Sequence, residues 1–363
     1  MVERVLIYRL GSLGDTVVAL PALHLTERAF PRAKRILLTN RPVQANAPAA
    51  RIVVEGSGLV DGYMDYPWQT RSLRDLARLW WTIVRFRPQA VVYLMGKRNT
   101  AKRDRWFFRL CGVRRLIGFP TGNNGEPVYD AKTGVGESEA SRLLRSVREL
   151  GTADLEDLAN WDLRLSADEE NRASDLLKGL AGRPLIACGP GTKMQAKDWG
   201  RDNWRKLLTA LSAELPDHGL VLMGAKEDAA MADYASAEWR GPIAHLCGLP
   251  PRETAAVLRR SELFLGPDSG QMHLAAAYGV PCAIVFSSRL PRGTWFPNGQ
   301  GHEVVYHTVE CSHCNLEVCI EKQRKCIMSI TVQEMLAAAL KARRPVAAPS
   351  GGPIETRAGI APR

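Results

Sequence analysis

Residues 263–281 read LFLGPDSGQMHLAAAYGVP, and the fold of the chain turns on them. Leu263, Phe264 and Leu265 end a buried strand, and Gly266, Pro267, Asp268, Ser269 and Gly270 make a tight polar turn. From Gln271 the apolar positions Met272, Leu274, Ala275 and Ala276 suit a helix closed by Gly279 and Pro281. The unit is strand, turn and helix. In an α/β protein that turn lies at the carboxyl end of a strand, where the first free N–H groups of the helix favour an anion. His273 comes one turn into the helix, beside Asp268 and Ser269. The same residues also read as an ordinary turn in which Asp268 or Ser269 caps the helix and His273 is a satisfied polar side chain.

Working outward, the same unit recurs. Leu185 to Cys188 form a strand feeding Gly189, Pro190, Gly191 and Thr192, and Lys193 and Lys197 follow before a helix near Asn203 and Trp204. Two lysines beside backbone amides suit a diphosphate, although loop lysines are commonly only solvated. Leu220 to Met223 make another strand, after which Glu227 stands where an acid can hold a ribose diol. Near the start, Val5 to Tyr8 run into Arg9, Leu10, Gly11, Ser12, Leu13, Gly14 and Asp15 and then a helical pattern. That loop is GxxGD and not GxGxxG, so it does not carry the dinucleotide fingerprint. Asp15 reads as a helix cap or a reactive base.

Strands alternate with helices throughout, which implies parallel sheets covered on both faces and an α/β class. A chain of 363 residues is long enough for two such units. We divide it into 1–165, 166–343 and a Pro-, Gly- and Ala-rich tail at 344–363 that is expected to be disordered. Residues 52–54 are read as a strand, residues 71–87 as an amphipathic helix, and residues 283–286 as the last strand. In that helix Leu73, Leu76, Trp80, Ile83 and Val84 share the apolar face, and Arg71, Arg74, Arg78 and Arg85 the other, with Trp81 beside them.

The net charge is +11, and residues 71–115 alone hold thirteen basic and two acidic residues. Such a stretch suits nucleic acid, an anionic membrane or an acidic substrate, and no nucleic-acid-binding motif accompanies it. No run approaches the roughly 20 apolar residues of a membrane span. The expected location is cytoplasmic, with residues 71–87 as a surface helix or as an element docked on an anionic bilayer.

Eight cysteines divide into four dispersed ones and a cluster, Cys311, Cys314, Cys319 and Cys326. Four thiolates beginning with CxxC suit a structural zinc site, but the later spacing departs from paired knuckles, and four reduced, packed cysteines fit as well.

Taken together, RLGSLGDTVVALPAL at residues 9–23, GPGT with the following KDW at residues 189–199, and GPDSGQMHLAAAYGVP at residues 266–281 resemble the three motifs of glycosyltransferase family 9, the ADP-heptose:lipopolysaccharide heptosyltransferases and their relatives. The likeness runs over about residues 1–340 in order and spacing. It implies a GT-B fold of two Rossmann-like domains facing across a cleft, the first binding acceptor and the second the nucleotide sugar. It places an inverting catalytic base on Asp15 and donor contacts on Thr192, Lys197, Asp268, Ser269, Gly270 and His273, with Glu227 as the ribose acid. Serine stands at 269 where threonine is usual. Gly14, Lys97 and Arg98 would meet an anionic glycolipid acceptor. No cofactor is then required for catalysis. Two other readings keep part of this picture: a sugar-nucleotide epimerase or hydrolase of the same architecture, and a non-catalytic nucleotide-sugar-binding protein docked on a membrane.

Overall fold

The computed structural model describes residues 2–40, 50–67, 72–95, 98–121 and 125–343, and of Arg98 and Asn99 the backbone alone. Lys97 and the tail expected at 344–363 lie outside the described residues. The strands in chain order are β1 Arg4–Tyr8, β2 Lys34–Asn40, β3 Gly62–Tyr66, β4 Ala90–Tyr93, β5 Arg115–Ile117, β6 Leu185–Cys188, β7 Gly219–Leu222, β8 Ile243–His245, β9 Leu263–Pro267, β10 Cys282–Phe286 and β11 Glu303–Tyr306. They form two sheets, ordered β3-β2-β1-β4-β5 and β11-β10-β9-β6-β7-β8. All pairings within both sheets are parallel. These are two Rossmann-like α/β units. In each, the order reverses between the unit's first and fourth strands, β1 and β4 or β6 and β9, and such a switch point opens a crevice at the carboxyl ends of the strands.

Strands such as LIAC and CAIVF are buried at every position, because helices cover both faces of each sheet. Val5, Ile7, Val92, Ala187, Phe264 and Ile284 point into one continuous apolar cluster shared by both units. Leu6, Tyr8, Val91 and Tyr93 point the other way, beneath the helices Leu73–Phe86 and Arg98–Leu110. On the far side of the second sheet, Trp199 and Trp204 pack edge to face at 5.1 Å, and the Trp199 indole donates to the Ile330 carbonyl at 2.9 Å. The tryptophans of the KDW stretch are therefore core residues that anchor the loop ahead of them.

Three expectations are corrected. Residues 52–54 belong to a helix, Ala50–Val54, whose buried positions Ala50, Val53 and Val54 follow helical spacing. The third strand is β3, a part-exposed edge strand. The Leu73–Phe86 helix seats Leu79 and Ile83 on the sheet and leaves Leu73, Leu76 and Trp80 exposed, so its inward face is turned from the one expected. Finally, β11 adds a strand beyond residues 283–286. Among the described residues no helix is long and apolar enough to cross a membrane.

Candidate active site

The end of β1 leads into the helix Leu13–Val17, capped by a box in which Asp15 Oδ2 accepts the Ser12 amide at 2.9 Å. The cap expected for Asp15 is thus real, yet it occupies one oxygen only. Asp15 Oδ1 lies 3.6 Å from the guanidinium of Arg9, and the side chain keeps 34% of its exposure. Arg9 is buried. Its Nε and Nη2 donate to the Asp15 carbonyl at 2.9 and 2.6 Å, and Nη1 to the Leu94 carbonyl at 2.7 Å. Glu139, itself bonded by Arg142 at 2.7 and 2.8 Å, stands 3.6 Å from the same Nη1 and balances the buried charge. Arg9 so ties the ends of β1 and β4 together and fixes the turn that carries Asp15.

Across the cleft, the turn after β9 places Asp268 against Lys197, with Nζ to Oδ2 at 2.6 Å and both side chains largely buried. The Ser269 hydroxyl caps the helix Gly270–Ala277 by accepting the Met272 amide at 3.5 Å. His273 is buried against Trp295, and its pKa is pushed down to about 4, chiefly by burial, with Lys197 acting the same way and Asp268 and Asp15 opposing. It is a neutral imidazole at physiological pH. Of the two lysines lining the cleft, Lys197 is committed to Asp268, whereas Lys193 makes no ion pair among the described residues. Burial lowers the Lys193 pKa, and Asp228 and then Asp15 draw it back up.

A cleft of about 270 Å³ has walls that include Ser12 and Leu13 from the first unit and Thr192, Lys193, Lys197, Glu227, Asp268, Ser269 and Gly270 from the second. The two units touch at its floor. A Cβ at Gly14 would lie 3.1 Å from His273 Cδ2, and one at Gly270 2.8 Å from Leu13, so glycine on each side permits the approach. Gly14, expected to meet the acceptor, lies beside His273. Of the expected donor residues all but His273 line this cleft, while Lys97 is not described and Arg98 opens a helix.

Sequence reasoning passed over Asp228. Its carboxylate accepts the Ala225 amide at 2.8 Å and fills the space over Gly191, where a Cβ would come within 2.2 Å of Asp228 Cγ. A second acid next to Glu227 was the available signal. Arg9 was visible only as part of a motif, although a charged residue ending an apolar strand marks a buried ion pair. The four clustered cysteines are free thiols, and Glu310 and the other three raise the pKa of Cys311 in addition to the leading effect of burial. Among the described residues no group of three or more His, Cys, Asp or Glu side chains is arranged to hold a metal ion.

A family model described as glycosyltransferase family 9 (heptosyltransferase) matches residues 141–325, just over half of the chain. The chain belongs to glycosyltransferase family 9. No curated protein matches it in sequence. Solved structures of similar fold include a family 9 glycosyl transferase from Veillonella parvula DSM 2008, 18% identical, covering 94% of this chain and 97% of that one, with a TM-score of 0.70. The E. coli ADP-heptose lps heptosyltransferase II is 16% identical over 93% of this chain and 98% of its own, with a TM-score of 0.64. The E. coli heptosyltransferase WaaC solved with ADP is also 16% identical, over 91% and 97%, at 0.59. At these identities the likeness is one of fold. As a family 9 member the protein is a glycosyltransferase, and the two Rossmann-like units have GT-B-like neighbours.

Proposed function

We propose that this family 9 enzyme moves a sugar, with inversion at the anomeric carbon, from a nucleoside diphosphate to a lipopolysaccharide-core or related cell-surface glycan on an anionic lipid. ADP-heptose is the donor we favour, in keeping with the structures of E. coli heptosyltransferase WaaC, of similar fold, with ADP and with ADP-2-deoxy-2-fluoro heptose. One observation carries the reading: the turn that bears the part-exposed Asp15 puts Ser12 and Leu13 on one wall of the cleft, opposite the lysine-bearing, amide-lined loops of the second unit, and Asp15 acts on the charge of Lys193 there.

In this reading the acceptor hydroxyl gives its proton to Asp15 as its oxygen attacks the anomeric carbon, and the bond from that carbon to the diphosphate breaks. The electron pair leaves on the diphosphate. Lys193, the hydroxyls of Thr192 and Ser269 and the amides at Gly270 and beyond stabilise the charge that collects there. Lys197 contributes its charge through the Asp268 pair, and the neutral His273 adds no competing charge. Glu227 and Asp228 are the acids near enough to hold a ribose. Side-chain cations and amides supply the stabilisation, so the reaction needs no cofactor and turnover should persist in a chelator. The enzyme would work as a peripheral protein on the cytoplasmic side of the inner membrane.

The test is a melting-temperature screen with ADP-, GDP- and UDP-linked sugars, followed by transfer from the best donor to a deacylated, water-soluble acceptor. ADP-heptose should stabilise most and give an inverted product. Stabilisation by UDP sugars alone would overturn the donor, and donor cleavage at the same rate with and without acceptor would make the protein a hydrolase.

A further inference from the structure

The outer face of the first unit carries side chains that the fold does not use. On the helix Leu73–Phe86, Leu73, Trp80 and Trp81 are 82%, 41% and 56% exposed, and on the neighbouring helix Arg98–Leu110, Trp106 and Leu110 are 71% and 68% exposed. The Trp80 indole donates to the Leu110 carbonyl at 3.2 Å, so the two sets adjoin and form one patch. Large apolar residues scattered singly need no explanation, but three tryptophans and two leucines side by side do.

The surrounding charge narrows what covers them. Among the described residues Arg74, Arg78 and Lys102 make no ion pair, and the Arg85 guanidinium lies 5.3 Å over the Trp81 ring. Of the acids on these helices, Asp75 sits in the first turn of its helix, and Asp104 is buried, accepting the Tyr93 hydroxyl and the Arg103 guanidinium. A protein interface core is depleted in unpaired charge, whereas a bilayer surface takes indoles at the headgroup level and basic side chains against phosphate.

We propose that this face docks on an anionic lipid bilayer, with Leu73, Trp81, Trp106 and Leu110 in the interfacial layer and Arg74, Arg78 and Lys102 on the headgroup phosphates. Both helices belong to the unit that carries Asp15, and Leu94, ahead of the helix Arg98–Leu110, gives its carbonyl to Arg9 beside that aspartate. A lipid-borne acceptor would reach the base from the surface on which the protein sits. The assignment rests on the proposed transfer only for this last step.

The experiment is co-sedimentation of the full chain with vesicles of phosphatidylcholine alone or mixed with phosphatidylglycerol, neither containing a glycan. The protein should bind the mixed vesicles, less so as salt rises. The double variant Trp81→Ala/Trp106→Ala should lower partitioning at least about tenfold, and Arg74→Glu/Arg78→Glu should remove the preference for anionic lipid. Both should keep the wild-type thermal shift with ADP, which shows that they fold, and wild-type transfer to a water-soluble acceptor. Wild-type partitioning in both variants, equal binding to neutral vesicles, or a halving of solution mass in the tryptophan variant, the mark of a face between copies of this chain, would each overturn the proposal. Loss of vesicle binding in the variants with transfer to the soluble acceptor intact is the expected result, whereas a wild-type chain that binds no vesicles overturns the docking alone. Absent transfer with vesicle binding intact overturns the reaction alone.

Discussion

The turns after β1 and β9 are built alike, each a strand end, a glycine-bearing loop and a capped helix, yet their aspartates differ. Asp15 spends one oxygen on the Ser12 amide and keeps the other open beside Arg9. Asp268 is buried and locked to Lys197 at 2.6 Å. The helix after β1 is capped by a box that uses the aspartate itself, whereas Ser269 caps the helix after β9 and leaves Asp268 to pair with the lysine. One carboxylate is left able to take a proton. The other is held by an ion pair on the second unit's side of the cleft.

That contrast can be broken in four places. The largest effect is expected from Asp15→Asn, whose amide oxygen can still accept from Ser12. Transfer should fall about a hundred- to ten-thousand-fold with the melting temperature and ADP affinity nearly unchanged, as steady-state rates and thermal shift would show. Next comes Lys197→Ala, which strands Asp268 as an unpaired buried charge. It should cost about 3–5 kcal/mol of stability by urea denaturation, where Asp15→Asn costs little. Equal costs would erase the difference between the two turns.

The third concerns His273, whose folded pKa of about 4 lies below its ordinary value of 6.5. The unfolded chain binds the extra proton first, so stability from this residue is intact above pH 6.5 and is lost as pH falls towards 4. His273→Gln should flatten the stability curve in that window by up to about 3 kcal/mol, measured by urea unfolding across pH. The smallest effect belongs to Lys193→Ala. With no ion pair to lose, it should leave stability alone and weaken ADP binding about tenfold, as calorimetry would report. A fall in melting temperature instead would place Lys193 with Lys197 as a structural cation.

Much of this was legible in the residues. Fully buried strands announce themselves as short apolar runs closed by Gly and Pro, and the loops at Gly11, Gly189 and Gly266 stand out because ligand-facing turns need close backbone approach. Residues 50–54, ARIVV, failed because five apolar-rich residues cannot display enough period to separate a buried helix from a strand. GYMDY escaped because an edge strand with part-exposed side chains has no strong alternation. The inward side of the Leu73–Phe86 helix depends on how it is rolled against the sheet, which no local pattern fixes. Arg9 is far from Glu139 and Arg142 in the chain, and only the folded sheet shows that they brace one turn.

The close approach of Gly14 to Gly270, where a Cβ on the first would lie 3.5 Å from the Cα of the second, means that the gap between the Asp15 turn and the second unit's loops is gauged in part by main chain. Rotamers lining the cleft can change without moving that gauge. Substitutions around Glu227, Asp228 or Leu249 could therefore retune which sugar or nucleotide fits while the reach of the proton transfer stays constant. Substrate range and chemistry become separable traits in such a scaffold, free to diverge at different speeds, and a single methyl group at position 14 would be enough to couple them again.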